Sequence, residues 1–204
     1  MTVQPNAPAS GRNRQPILDV IKIEFHDCES ILEIGSGTGQ HAVFFAEAMP
    51  GLTWHTSDLA ENHQGIRSWL ADARLPNVRD PLLLDVLQSD GVNGEYDGVF
   101  SANTAHIMGL PAVRCMFELT GRLLSDVGVF CLYGPFNQDG KFSSESNQRF
   151  DASLRSQDHA MGIRDLEELD EFAGSSMMRR ERLYAMPANN LLAVWRKFGN
   201  QENK

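Results

Sequence analysis

The stretch Leu32-Glu33-Ile34-Gly35-Ser36-Gly37-Thr38-Gly39 constrains this chain more than any other. An apolar run ends there in three alternating glycines and gives way at once to a helical pattern, Gln40 to Met49. The short apolar run, Ser30 to Ile34, reads as a buried strand, and the glycines let the backbone turn sharply and approach another group closely. The helix start that follows offers unpaired N–H groups and a partial positive charge. Two common phosphate-binding turns do not match. A dinucleotide turn carries G-x-G-x-x-G, and here the third glycine comes one residue early, at Gly39. A P-loop needs Gly-Lys-Ser/Thr after four intervening residues, which is absent.

The rest of the chain continues the strand and helix alternation. Pro16 is expected to open a helix, with Ile17, Leu18, Ile21 and Phe25 on one face. Further strands are expected at Leu52 to Thr56, Pro81 to Val86, Tyr96 to Ala102 and Val127 to Tyr133. The helices between them carry Ile66, Trp69 and Leu70, then Val113, Met116, Phe117 and Thr120. Such an order implies a parallel sheet covered on both faces. The end of the chain departs from it. Gly134 to Asn147 suits a long loop, Phe150 to Ser156 and Asp165 to Ala173 look helical, and Met177 to Ala185 with Leu191 to Trp195 should form an antiparallel hairpin around Met186 to Asn190. Residues 1–15 are expected to be a flexible arm, 16–198 a single domain and 199–204 a tail.

Charge narrows the partners. The chain has 18 Lys and Arg against 27 Asp and Glu, a formal net charge of −9. An acidic surface repels phosphate backbones, so nucleic acid is disfavoured. The one tight basic cluster, Arg179, Arg180 and Arg182, reads as a solvated edge. Cys28, Cys115 and Cys131 are far apart with no CxxC pair, which argues against a disulfide framework or a zinc site, and no metal is expected. The N-terminus lacks the apolar core of a secretion signal, and no apolar run is long enough for a membrane span. A reducing, cytoplasmic setting is expected.

The acidic-x-G-x-G-x-G form that Glu33 begins resembles motif I of the class I S-adenosylmethionine-dependent methyltransferases. Several strings resemble one group more closely, the small methyltransferase-like proteins of domain-of-unknown-function family 938. They include Arg12-Asn13, Gly37-Thr38-Gly39-Gln40-His41-Ala42, Leu84-Asp85-Val86, Tyr133-Gly134-Pro135-Phe136, Gly162-Ile163-Arg164-Asp165 and Met186-Pro187-Ala188-Asn189-Asn190, and the likeness runs from about Arg12 to Lys197. The chain departs from that group at Met108-Gly109-Leu110-Pro111, on the expected acceptor side. The resemblance implies a Rossmann-like α/β fold: a seven-stranded, mostly parallel sheet of order 3-2-1-4-5-7-6, with one antiparallel strand and helices on both faces. It implies S-adenosylmethionine as cofactor, S-adenosylhomocysteine as product and a small-molecule methyl acceptor.

The resemblance also implies roles. Glu33, Gly35, Ser36, Gly37 and Gly39 would form the donor's turn. Asp58, with Leu59 beside it, would hold the ribose hydroxyls, since a carboxylate accepts two hydrogen bonds at once. Asp85, followed by Val86, would face the adenine amino group. Either acid could instead cap the turn that follows it. Asn103 would bind the donor's amino-acid end or cap a helix. Arg12 and Asn13 would fold over the donor's carboxylate or stay solvated.

On the acceptor side, His106 is the candidate base or acceptor-orienting group, against a histidine that fills the wall. Tyr133 either lines the crevice or belongs to the core. The loop Gly134 to Phe150 suits a lid, with Asn147, Asp151 and Arg155 facing the acceptor or locking it, and Asp151–Arg155 also reads as a surface ion pair. Arg164-Asp165 and Asn189-Asn190 read as turn locks. Two further readings stand beside an active methyltransferase: a non-catalytic donor-binding module acting through protein partners, and an NAD-type dehydrogenase with a displaced glycine.

Overall fold

Strands β1 (Ser30–Ile34) and β2 (Thr53–Asp58) lie side by side and parallel, and their carboxyl ends carry the glycine turn and Asp58. The computed structural model describes residues 4–89 and 92–199. β3 (Val78–Leu83) pairs outside β2; β4 (Tyr96–Ala102) and β5 (Leu124–Gly134) continue the sheet beyond β1, all parallel. β8 (Met178–Met186) and β9 (Asn190–Lys197) complete the seven-stranded order β3-β2-β1-β4-β5-β9-β8, with β9 antiparallel to both its neighbours. Numbering only these seven strands restores the expected order. The difference is a separate parallel pair, β6 (Phe136–Asn137) with β7 (Arg164–Asp165), inside the segment expected to be loop and helix.

Successive side chains of a strand point to opposite faces, and here both faces are buried. Ile31, Phe100, Val129 and Cys131 meet helices α1 (Pro8–Glu24) and α2 (Gln40–Ala48). Leu32, Val99, Phe130 and Leu132 meet α4 (Leu110–Leu123) and α6 (Leu166–Ser175) on the other face. α3 (His63–Ala73) packs beside β3, and α5 (Glu145–Gln157) follows β6. No helix among the described residues is long and apolar enough to cross a membrane.

Two expectations need correction. The first helix begins at Pro8, not Pro16, so residues 8–15 are helical rather than a flexible arm. Both prolines suit a first helical position, and contacts distant in sequence select the earlier one. The Ala7 N–H donates to Gln40 Oε1 at 2.6 Å, and Trp69 Nε1 donates to the Pro5 carbonyl at 2.8 Å. Polar residues 4–15 carry little apolar periodicity to reveal this. β3 also ends earlier than expected, at Leu83. Pro81 lacks an N–H but is tolerated because β3 is an edge strand. Leu84 and Val86 are buried beyond the strand. Of the expected tail 199–204, residues 200–204 lie outside the described residues.

In the basic cluster, Arg179 and Arg182 are exposed on the edge strand β8 and Arg180 is partly buried. Arg182 bonds the buried Glu24 at 2.8 Å, and Arg180 meets Asp170 at 3.0 Å. Arg179 stays outward, 3.7 Å from Glu181.

Candidate functional site

The carboxyl ends of β1, β2 and β4 surround a cavity with two lobes. Gly35, Gly37, Glu61, Asn62, Ala102 and Asn103 border both. The smaller lobe, about 430 Å³, continues past Asp58, Leu59, Leu84, Asp85 and Val86 toward Met108. The larger, about 640 Å³, opens between the glycine turn, His41, α3 and the N-terminal residues Pro5, Ala7, Ala9 and Ser10. Sites of this size and mixed lining suit a small organic ligand.

The three glycines of the turn do different work. All have positive φ, at +74°, +57° and +87° for Gly35, Gly37 and Gly39, which L side chains rarely adopt. A Cβ on Gly35 would lie 2.6 Å from Thr104 Cγ2, whereas one on Gly37 meets nothing within 4 Å and would project into the cavity. A Cβ on Gly39 would sit 3.0 Å from Ile66 Cα. Gly39 therefore allows α2 to pack on α3, which corrects its expected place among the ligand contacts.

Glu33 is also corrected. Its carboxylate is buried behind the turn, where Oε2 accepts from Ser36 Oγ at 2.8 Å and from Trp54 Nε1 at 3.0 Å. Burial pushes its pKa up to about 7, against the two hydrogen bonds that favour the charged form. Glu33 thus braces the turn from inside, and Ser36 is both its partner and a lining residue.

Both acids expected to face a ligand do border the smaller lobe, and both also cap the chain beyond them. Asp58 Oδ2 accepts from the Gly37 N–H at 2.6 Å. Its Oδ1 accepts from the Leu59 N–H at 2.7 Å and from Asn62 Nδ2 at 2.8 Å. Asp85 Oδ1 accepts from the Leu87 N–H at 2.9 Å, closing a 3-10 turn over Val86–Gln88. Asn103 sits at φ +60°, with its N–H on the Tyr133 carbonyl at 2.8 Å, and borders both lobes.

Arg12 is exposed and is not among the residues lining either lobe, which is the solvated alternative of the two readings. Asn13 lies one layer behind the lining. Its Oδ1 is 2.8 Å from His41 Nε2. Tyr133 is buried in the core beside α1, where desolvation raises its pKa against the opposing influence of the Asn13 and Asn190 side chains, and it is not among the residues lining either lobe.

His41 received no role from the sequence, although it stands on the first turn of the helix after the glycines. It is 8% exposed, its ring stacks on Phe45 at 5.2 Å, and burial together with Arg14 lowers its pKa to about 4. Asn62 and Pro5 to Ser10 also had no assigned role. Only contacts between distant segments bring them here.

The acceptor-side candidates form a second cluster. His106 lies outside the lining of both lobes. Its ring centroid is 5.3 Å from that of Phe150, and burial and Arg164 hold its pKa at about 4. Arg164 donates to the Ala105 carbonyl at 3.0 Å, to the Ala160 carbonyl at 2.8 Å and to the Met108 carbonyl. The expected lid is mostly ordered: Ser144 caps α5, and Gly140 N–H donates to Asp165 at 2.7 Å. Asp151 bonds Arg155 at 2.8 Å and also accepts from the Ile163 N–H at 2.8 Å, so this buried acid locks α5 rather than forming a plain surface pair. Asn147 Nδ2 donates to the Asn189 carbonyl at 3.0 Å.

Solved structures share this architecture. One, described as an O-methyltransferase family protein from Burkholderia thailandensis, matches with a TM-score of 0.79 at 14% identity, over 92% of this chain and 57% of that one. PigF, solved with SAH, matches at 0.76 and 18%, over 90% and 61%. CalO1, a methyltransferase in calicheamicin biosynthesis in its SAH-bound form, matches at 0.70 and 17%, over 82% and 48%. The chain thus spans about half to three fifths of their length, and at such identities the likeness is one of fold. A family model described as "Protein of unknown function (DUF938)" matches residues 4–197, and the chain belongs to that family.

Proposed function

We propose that the chain transfers a methyl group from S-adenosylmethionine to a small-molecule acceptor. The observation that carries this reading is the two-lobed cavity centred on Gly35 and Gly37, with Asp58 and Asp85 along one lobe and Asn103 between the two. The fold shared with PigF and CalO1, both solved with SAH, supports it.

The residues present fit the donor. The open space beyond the Gly37 Cα admits a ligand against the backbone. Asp58 uses three of its roughly four lone-pair directions on Gly37, Leu59 and Asn62, so one remains for a sugar hydroxyl. The Asn62 amide beside it can turn to a second. Leu59, Leu84 and Val86 supply apolar walls for a purine, and Asp85 can accept from its exocyclic amine. When bound, S-adenosylmethionine supplies a methyl group on a positively charged sulfur, already activated for displacement. The chain then needs only to align the nucleophile and exclude water. The larger lobe offers small uncharged surfaces from Pro5, Ala7, Ala9 and Ser10, which suit a small uncharged or zwitterionic acceptor. His106, neutral at physiological pH, stands behind the lining of both lobes, beside the Phe150 ring, and is assigned no direct contact with that acceptor.

The test is transfer of radiolabel from methyl-labelled S-adenosylmethionine into an extract of small metabolites. A labelled product that fails to form with Gly37→Val supports the reading. Donor binding without any labelled product would favour the non-catalytic module instead.

A further inference from the structure

Among the described residues lining the two lobes there is no Lys or Arg, and Glu61, Asp58 and Asp85 border them. The surroundings therefore favour the cationic over the anionic end of an amino acid. Among the lining side chains that are more than nine-tenths buried, one is a histidine whose ring is fixed in orientation. His41 is clamped by Phe45 on its flat face and by Phe100 at 6.4 Å edge-on. Its Nε2 lies 2.8 Å from Asn13 Oδ1, an oxygen that can only accept, so Nε2 carries the hydrogen. The neutral imidazole then has its lone pair on Nδ1. That atom has no hydrogen-bond partner among the described residues.

We propose that His41, fixed in this tautomer by Asn13, receives the α-ammonium group of the donor's amino-acid end in the larger lobe. This rests on the donor reading above and adds to it a residue that selects the amino-acid end. A lone pair accepts from an ammonium group and opposes a carboxylate. The burial that keeps the ring uncharged, and the Arg14 guanidinium stacked on Phe44 at 4.4 Å, both favour the neutral state that the contact needs. Asn13 becomes a positioning residue, acting through His41.

Calorimetric titration with two probes tests this. S-adenosylhomocysteine carries the amino-acid end, and methylthioadenosine lacks it. His41→Leu should weaken S-adenosylhomocysteine by about tenfold, the scale of one hydrogen bond to a charged group, and leave methylthioadenosine within twofold. His41→Gln, whose amide can donate to Asn13 while its oxygen accepts from the ligand, should retain most of the affinity. In the unaltered chain at pH 7, S-adenosylhomocysteine should bind without proton uptake across buffers of different ionisation enthalpy. Equal losses for both probes would make His41 a structural residue and overturn the proposal. So would uptake of one proton that His41→Gln abolishes, because His41 would then meet the carboxylate as an imidazolium. Failure of the unaltered chain to bind either probe would sink the donor reading itself, a separate result.

Discussion

The glycine-turn side of the cavity and the segment from Gly134 to Asn190 reach the same edge of the sheet by different means. On the first side, one contiguous stretch, Glu33 to Gly39, sets the backbone shape, and nearly every brace lies within two neighbouring strands: Ser36 on Glu33, Trp54 on Glu33, Asp58 on Gly37. On the second, several locks join residues far apart in sequence, Arg164 to Ala105, Asn147 to Asn189 and Gly162 N–H to the His106 carbonyl, beside local ones such as Asp151 to Arg155. A site built by local backbone geometry should lose ligand when a single turn residue changes. A region held by scattered long-range locks should lose stability first and ligand affinity hardly at all.

The strongest break is Gly37→Val. Its side chain would fill the cavity at a positive φ, so S-adenosylhomocysteine affinity should fall at least about a hundredfold, while thermal stability drops by only about 1–2 kcal/mol. Gly39→Val is the contrast. It strikes the Ile66 main chain, and the melting temperature should fall well before affinity is specifically affected. Asp58→Ala should cost about 1.5–3 kcal/mol of binding, the range for charge-assisted hydrogen bonds. An unchanged dissociation constant would leave Asp58 as a cap alone.

Glu33→Gln sharpens the local side through pH. With its folded pKa raised from 4.5 to about 7, Glu33 contributes stability that is fully present below pH 4.5 and is lost as pH rises through 7. Glutamine keeps an oxygen for Ser36 and Trp54 and has no proton to lose. The variant should therefore gain on the unaltered chain by about 1–3 kcal/mol between pH 5 and 9. A difference that stays flat in denaturant melts would contradict this. His41 and His106 act in the opposite sense: lowered from 6.5 to about 4, they contribute stability present above pH 6.5 and lost as pH falls through 4. The smallest effect belongs to the second region. Asn147→Leu should lower stability by about 1 kcal/mol through the lost bond to Asn189, with S-adenosylhomocysteine affinity unchanged within twofold.

The same contrast explains what could be read in the sequence. Apolar runs of period two and helical runs of period 3.6 are local properties, so the strand and helix alternation was legible, whereas the sheet order came from the family resemblance. The glycine turn and Asp58 were legible because their spacing is set within one β-α-β unit. Pro8 as the true helix start was not, since Gln40 and Trp69 select it from across the fold. Glu33 was assigned to the ligand because sequence cannot tell which face of the turn an acid occupies. His41 was overlooked for a related reason: its placement depends on Asn13, which had been read as part of an arm. The β6 and β7 pair is two residues on each side, too short for periodicity to show.

The central claim is that the bend at residues 35–37 and the Asp58 carboxylate form a cradle for an adenosyl sulfonium donor. The most direct test is calorimetric titration of the unaltered chain with S-adenosylhomocysteine and, in parallel, with NAD. The account predicts one S-adenosylhomocysteine bound per chain and no heat from NAD. No binding of S-adenosylhomocysteine at millimolar concentration, or a preference for NAD, would contradict it.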